Sequence, residues 1–529
     1  MTETKARYVS PNPAETAEGW TLDRVTRPSR LFGANGLHTG ADGRVYVASV
    51  AGSQVSAINV DTLEIEAYAP MGGPITGPDD LAFDDAGNLY VTEITENKVR
   101  VLRPDGTSDT IADLRVANPI LFKQGRLIAG ELTMGAKIVE LDRNGGAPRT
   151  IIEGVPMANA FDIGPDGKLY FPAQAANEIW RVSLDGGEPE VVTKDLGVPD
   201  AVKFHPDGYI VSCQVYTGQV LKIDPRTGDK EILAEVGPGL DNIAFVNGRT
   251  FVSHITGSIH EITPGKAKPL VEKGMQWPLG LAVGDSGELF IADGGFTYTL
   301  EPGGEPVLAG MLFSPGFPGW VRDVAAAGAG AWIVTTANGD VARFTPAAQE
   351  SEMLAQGYDR LMGLDVAPGG AVVFAEMPTG RILSVEGGNV TELAKGLDRP
   401  MGVAVGPDGA VYVAEAGAGR VTKIAGGKTE TVIDGLGSPE GIAITGGKLY
   451  TVDVGTKQVI ESDLLGGNRR AIGTNLPVGA PGGIVPKQLG GVGDMCGPMT
   501  TFAGIAASGD GTLYVAGAAE GSVLALRPA

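Results

Sequence analysis

The sequence predicts an all-β protein made of two six-bladed β-propellers with four-stranded blades. Three observations carry this. Short runs that alternate apolar and polar residues recur along the chain, as in residues 401–439, where GVAV, AVYVAE, RVTKIA and TETVIDGL follow one another. Turns rich in Gly and Asp separate the runs, Gly406-Pro407-Asp408-Gly409 among them. Period-two alternation bounded by such turns marks antiparallel strands. Finally, units of this kind recur every ~42 residues, the spacing of propeller blades.

Composition agrees. The chain has 529 residues, 80 of them Gly and 35 Pro, yet 43% are hydrophobic, so turn-dense β-structure accounts for it better than disorder. Its formal net charge is −22 and it has no basic block. Binding to a phosphate backbone is therefore excluded, and no nucleic-acid partner is expected. The N-terminus MTETKARYVSPNPAETAEG lacks the apolar stretch of a signal peptide, and no apolar run is long enough to span a membrane. A cytoplasmic protein with no membrane partner is the expectation. Cys213 and Cys496 are the only cysteines, which leaves no disulfide framework.

Taken in order, residues 1–17 form a flexible polar tail. GWTLDRVTRPSR (19–30) then reads as the fourth strand of a blade that lacks its first three. Twelve units follow, opening near residues 35, 79, 118, 159, 200, 241, 279, 322, 362, 401, 440 and 503. Twelve exceeds the roughly four to eight blades of one ring, so two rings of six are the natural division. The boundary is expected near Pro264, giving a first propeller over 18–265 and a second over 266–529. In this scheme the strand near 20–28 closes blade six, and KAKPLVEKG (266–274) supplies the outer strand of blade twelve, whose own unit ends after three strands. An insertion, NLPVGAPGGIVPKQLGGVGDMCGPMTT (475–501), precedes the last unit and should sit where the inner strands begin.

The openings of the first six units are ANGL, PDDL, ANPI, ANAF, PDAV and LDNI. Their second residues are Asn35, Asp79, Asn118, Asn159, Asp200 and Asp241. The first strand of a blade lines the central channel, so these six side chains converge at its mouth. Carboxylate and amide oxygens gathered there suit a hard divalent cation, Ca2+ first, with Mg2+, Mn2+ or Zn2+ as alternatives. Asn and Asp are also common in turns. The second six units supply a control: the same turns there carry Leu279, Arg322, Met362, Met401, Glu440 and Ala503. One metal, held by the first propeller only, is therefore expected.

A further set lies at the ends of the second strands: Ser49, Glu93, Glu131, Gln174, Gln214 and His254. Antiparallel pairing puts these beside the same mouth. Glu93, Glu131, Gln174 and Gln214 are candidate partners orienting the ligands, and His254 is a candidate general base. The counterparts Asp293, Glu376, Glu415 and Asp453 in the second half point instead to a role in holding blades together. Asp79, Asp200 and Asp241 are alternative proton acceptors to His254.

NGL at 35–37, PDDLAFDDAGNLYVTE at 78–93 and GPDGKLYF at 164–171 resemble the regucalcin/gluconolactonase/luciferin-regenerating-enzyme family. The resemblance implies a six-bladed propeller with a divalent metal at the channel mouth and a hydrolase of a lactone or related ester, acting on a small-molecule substrate. It carries the family's site onto Asn118, Asn159 and Asp200, with Asn35 where the family has a Glu; Asp79 and Asp241 flank that departure. LYVTEITENKVRVL (89–102) is also similar to the repeats of virginiamycin B lyase, a metal-dependent enzyme that opens a cyclic ester by elimination. A non-enzymatic binding propeller is the third reading.

Overall fold

The computed structural model describes residues 6–312, 314–493 and 495–529. Among the described residues the strands form twelve antiparallel sheets, eleven of four strands and one of five. Two compact units result: Ser29–Gly274 with Leu489–Gly493, and Met1–Pro28 with Met275–Gln488 and Asp494–Ala529. Each is a six-bladed propeller.

In the first ring every blade is four consecutive strands, from Leu37–Thr39 through to Lys266–Val271. The expected boundary near Pro264 is corrected here. Lys266–Val271 does not cross to blade twelve but pairs with Ile259–Thr263, Thr263 standing opposite Lys266 across a two-residue turn. Gly265 takes φ 74° in that turn, a left-handed value that glycine adopts without strain. Closing a hairpin over two residues costs far less chain entropy than recruiting a strand from the chain terminus. No exchanged strand closes this ring. Its first and last blades are joined by apolar packing of Leu31, Leu37 and Val47 against Phe251, Ile259 and Val271.

The exchanged strand belongs to the second ring. Its last blade has only Ile505–Ala507, Leu513–Gly517 and Ser522–Pro528 from the C-terminal end, and Trp20–Arg24 completes it, Trp20 opposite Pro528 and Arg24 opposite Leu524. This alternation buries Trp20 in a cluster with Val459, Leu476, Leu524 and Leu526, with Leu22 packed against it. A sheet otherwise left with a bare edge is thereby covered. Glu15–Thr16 adds a fifth strand to the preceding blade, so 15–17 is not part of a free tail. Arg7 is anchored as well: its guanidinium donates to the carbonyls of Met275 (2.9 Å), Gln276 (2.6 Å), Ala518 (2.7 Å) and Ala519 (3.0 Å). The first ring is thus inserted, whole, between the outermost strand of the second ring and the rest of it.

Both rings share one irregularity at the channel. The pairing of innermost with second strands slips between Pro78 and Leu81, Ala117 and Ile120, Pro199 and Ala201, and Leu240 and Ile243. It slips likewise at Val321/Val324, Leu361/Leu364, Pro400/Val403 and Pro439/Ile442. A bulge releases its residues from the ladder and re-aims their side chains. The slip falls on the second residue of each unit, the position that carries Asp79, Asn118, Asp200 and Asp241 in the first ring.

Candidate functional site

The six Asn/Asp positions of the first ring come from six different innermost strands or the residues just before them. Asp79, Asn118, Asn159 and Asp200 keep 4–7% of their surface exposed, whereas Asn35 and Asp241 are half-buried. Two carboxylates are clamped by amides. Asp200 Oδ1 accepts from Asn159 Nδ2 (2.8 Å) and Gln174 Nε2 (2.9 Å), and Asp241 Oδ2 accepts from Asn35 Nδ2 (3.1 Å). The amide oxygens are engaged in turn, Asn159 Oδ1 by the Ala160 N–H (2.8 Å) and Asn35 Oδ1 by the Val50 N–H (3.2 Å). Asp79 and Asn118 differ: within the described residues neither side chain makes a hydrogen bond, although both are buried. Their polar atoms are not among those shut off from solvent without a partner, so both side chains open to the channel.

The electrostatics bring the acids together. Burial raises the Asp79 carboxyl well above its ordinary value, and the Asp241 and Asp80 charges raise it further. Burial and then Asp79 do the same to Asp200, and burial and then Asp200 to Asp241. These acids thus lie within electrostatic reach of one another. The sequence reading missed a fourth such acid, Asp80, whose charge acts on all three. The doubled Asp of PDDL was the available signal. Asp80 is a structural clamp as well: it accepts from Ile120 N (3.2 Å) of the next blade and from Asn242 Nδ2 (3.2 Å) of the last.

Of the four expected orienting residues, Gln174 alone touches the cluster. Glu93 Oε1 accepts from Thr76 N (2.7 Å) and Arg100 Nε (2.8 Å). Glu131 holds Arg115 N (3.3 Å) and Lys137 N (3.2 Å), and Gln214 Oε1 holds Gly197 N (3.0 Å). Each ties down the loop entering its own blade. Glu376, Glu415 and Asp453 do the same in the second ring, accepting from Asp359 N (3.0 Å), Asp398 N (2.8 Å) and Gly437 N (2.8 Å). Apart from Gln174, these residues of both rings have an architectural role at this position.

His254 is corrected as the general base. Its Nε2 lies 2.7 Å from the Pro238 carbonyl, which requires a proton on Nε2. Its Nδ1 then accepts from the Thr256 N–H (3.2 Å) and hydroxyl (2.8 Å). No ring nitrogen is left to take a proton, and burial holds the pKa down at about 4.

All the donors in the cluster are hard oxygens, and a cation binding there would relieve the mutual repulsion of its carboxylates. The chemistry of the set therefore fits a hard divalent ion. Among the described residues no three Asp, Glu, His or Cys side chains stand at ligand spacing, so amide and solvent oxygens would have to complete any coordination shell. At the matching level of the second ring, Leu279, Met362, Met401 and Ala503 are buried and Arg322 is fully enclosed. Glu440 there accepts from Ala503 N (2.7 Å) and burial pushes it up to about 7. Among the described residues no helix is long and apolar enough to cross a membrane.

Half of this chain corresponds to each of several solved propellers. Virginiamycin B lyase from Staphylococcus aureus matches at 16% identity over 52% of this chain and 96% of its own, with a TM-score of 0.38. Regucalcin from Agrobacterium tumefaciens, described as a calcium-binding protein, matches at 17% over 46% and 95%, with a TM-score of 0.37. A luciferin-regenerating enzyme matches at 12% over 47% and 97%, with a TM-score of 0.39. The likeness is one of fold. No family model and no curated protein matches the chain.

Proposed function

We propose that the first propeller hydrolyses a lactone or related ester at its channel mouth with the help of one divalent cation. One observation carries the reading: Asp79, Asp200 and Asp241, from different blades, are near enough at the channel mouth to act on one another's charge, and amide side chains clamp two of them. Carboxylates of the set Asp79, Asp200 and Asp241, no three of them at ligand spacing, would hold the ion together with the Asn118 amide oxygen and solvent oxygens; Asn159, Gln174 and Asn35 keep Asp200 and Asp241 in position. The bound ion would supply Lewis-acid polarisation of the ester carbonyl. Of the three acids Asp79 alone accepts no hydrogen bond among the described residues, so an Asp79 oxygen not engaged with the ion would be the acceptor for the proton of the attacking water. Met134 and Tyr216, 65% and 64% exposed, lie at or just past the ends of the second strands of blades three and five and offer an apolar rim to the substrate.

Metal and pH are linked here. A carboxyl whose folded pKa is raised favours the folded state in its protonated form. That contribution is complete below its ordinary value of 3.8 and is lost as pH rises through the folded pKa. A divalent ion takes the place of the protons. The shift in Tm produced by Ca2+ should therefore be small near pH 4 and grow steadily as pH rises, as scanning calorimetry would measure. A Ca2+ effect independent of pH, or metal found at stoichiometric level in the second ring alone, would remove the site. Turnover of a panel of lactones and aryl esters should fall on chelation and return with Ca2+. A product with a new carbon–carbon double bond, in place of a hydroxy acid, would replace hydrolysis by elimination.

A further inference from the structure

Residues Leu489–Gly493 of the insertion belong to the same compact unit as the six blades of the first ring. They read Leu-Gly-Gly-Val-Gly and lie against blades two and three. The Gly490 N–H donates to Glu96 Oε1 at 3.1 Å, and a side-chain carbon on Gly490 would collide with the Thr95 carbonyl oxygen. A side-chain carbon on Gly493 would stand 3.1 Å from Val116 Cγ2. Glycine allows backbone to approach its neighbours this closely. Leu489 keeps only 4% of its surface exposed.

The residues that seat this segment adjoin the candidate site. Thr95 and Glu96 lie in the turn after Leu89–Glu93, the second strand of blade two, which ends at the channel mouth. Thr95 also fills the space over Gly77, two residues before Asp79. Val116 stands two residues before Asn118. Leu489–Gly493 therefore forms a strap from the entry of blade two to the entry of blade three. These are the blades that carry Asp79 and Asn118, the two groups of the site without a hydrogen-bond partner among the described residues. Between Gly490 and Gly493 the only side chain is that of Val492, which is half-buried.

We propose that Leu489–Gly493 walls the substrate pocket on the side of blades two and three, and that the Val492 side chain sets the largest ester admitted. The proposal rests on the ester-hydrolase reading of the first ring. Glu96, Thr95 and Val116 hold the strap in place and do not touch the reacting atoms. Val492 determines specificity by occupying space: acyl groups that fit beneath it are turned over, and bulkier ones are refused.

The test uses the full chain with Ca2+ present and two esters with the same leaving group, p-nitrophenyl acetate and p-nitrophenyl cyclohexanecarboxylate. The readout is the ratio of kcat/KM for the bulky ester to that for the acetate. Val492→Gly should raise this ratio about tenfold, the usual worth of a few methyl or methylene groups in a pocket. Val492→Phe should lower it, and Gly490→Val, which pushes the strap off Thr95, should raise it. Turnover of the acetate should stay within about twofold in both Val492 variants. A ratio unchanged in the Val492 variants, or an equal fall on both esters, would overturn the strap's role and leave the hydrolase reading standing. Failure of the unsubstituted protein to turn over any ester of a wider panel would remove the hydrolase reading and the strap's role with it.

Discussion

Asp79→Asn should lower kcat on the responsive ester by roughly 10²–10⁴-fold, the usual worth of a positioned proton acceptor. The same change should raise the Tm of the metal-free protein at pH 8. The two effects have one origin. Asp79 is buried, has no hydrogen-bond partner among the described residues and is repelled by Asp241 and Asp80, so ionising it works against the fold. An amide of the same shape removes that repulsion and also removes the group able to take the proton. A residue kept only to hold the ring together would show the opposite pattern, lost stability with retained turnover. Asn118→Ala, at the neighbouring unpartnered amide, should weaken Ca2+ binding with little change in metal-free Tm. Unchanged turnover in Asp79→Asn would take the base away from this residue and leave only a binding cluster.

Removal of residues 1–28 should unfold the second ring and leave the first intact. Loss of Trp20–Arg24 bares the N–H and C=O groups along Ser522–Pro528, takes Trp20 out of its core and empties the socket of Arg7. Deleting the Trp20 side chain alone should cost about 3–5 kcal/mol, against a total of about 5–15 kcal/mol for a typical domain. Losing the whole strand leaves no margin. The fragment 29–274, by contrast, contains every strand of its six blades and should unfold cooperatively by itself. Circular dichroism and limited proteolysis of the two fragments distinguish these outcomes. A stably folded 275–529 fragment would show that the exchanged strand is dispensable, and an unfolded 29–274 fragment that the first ring depends on the second. Supplying residues 6–28 as a peptide should restore the second ring.

Alternation of period two, the Gly and Asp turns and the ~42-residue repeat determined the strands, the blades and the number of rings, because each is a local property of a short stretch. The contrast between Asp79, Asp200 and Asp241 on one side and Leu279, Met362 and Met401 on the other was equally legible, since it needs only the strand openings aligned. What the sequence by itself left open was which strand pairs with which over long range. Lys266–Val271 and Trp20–Arg24 look alike as isolated outer strands, and only the two-residue hairpin at Pro264–Gly265 and the three-stranded last blade decide their places. The roles of single side chains were decided in the same way. His254 and Glu93 stand at matching positions at the mouth, yet one is locked by Pro238 and Thr256 and the other by Arg100 and a backbone N–H. These bonds lie within one blade and the loop that enters it, and which partner a side chain takes is settled only once that blade's strands have paired in register. The bulges follow the same rule. They recur in both rings as a product of blade geometry, while the residue each one carries was set by the sequence and gives one mouth its acids and the other its buried arginine.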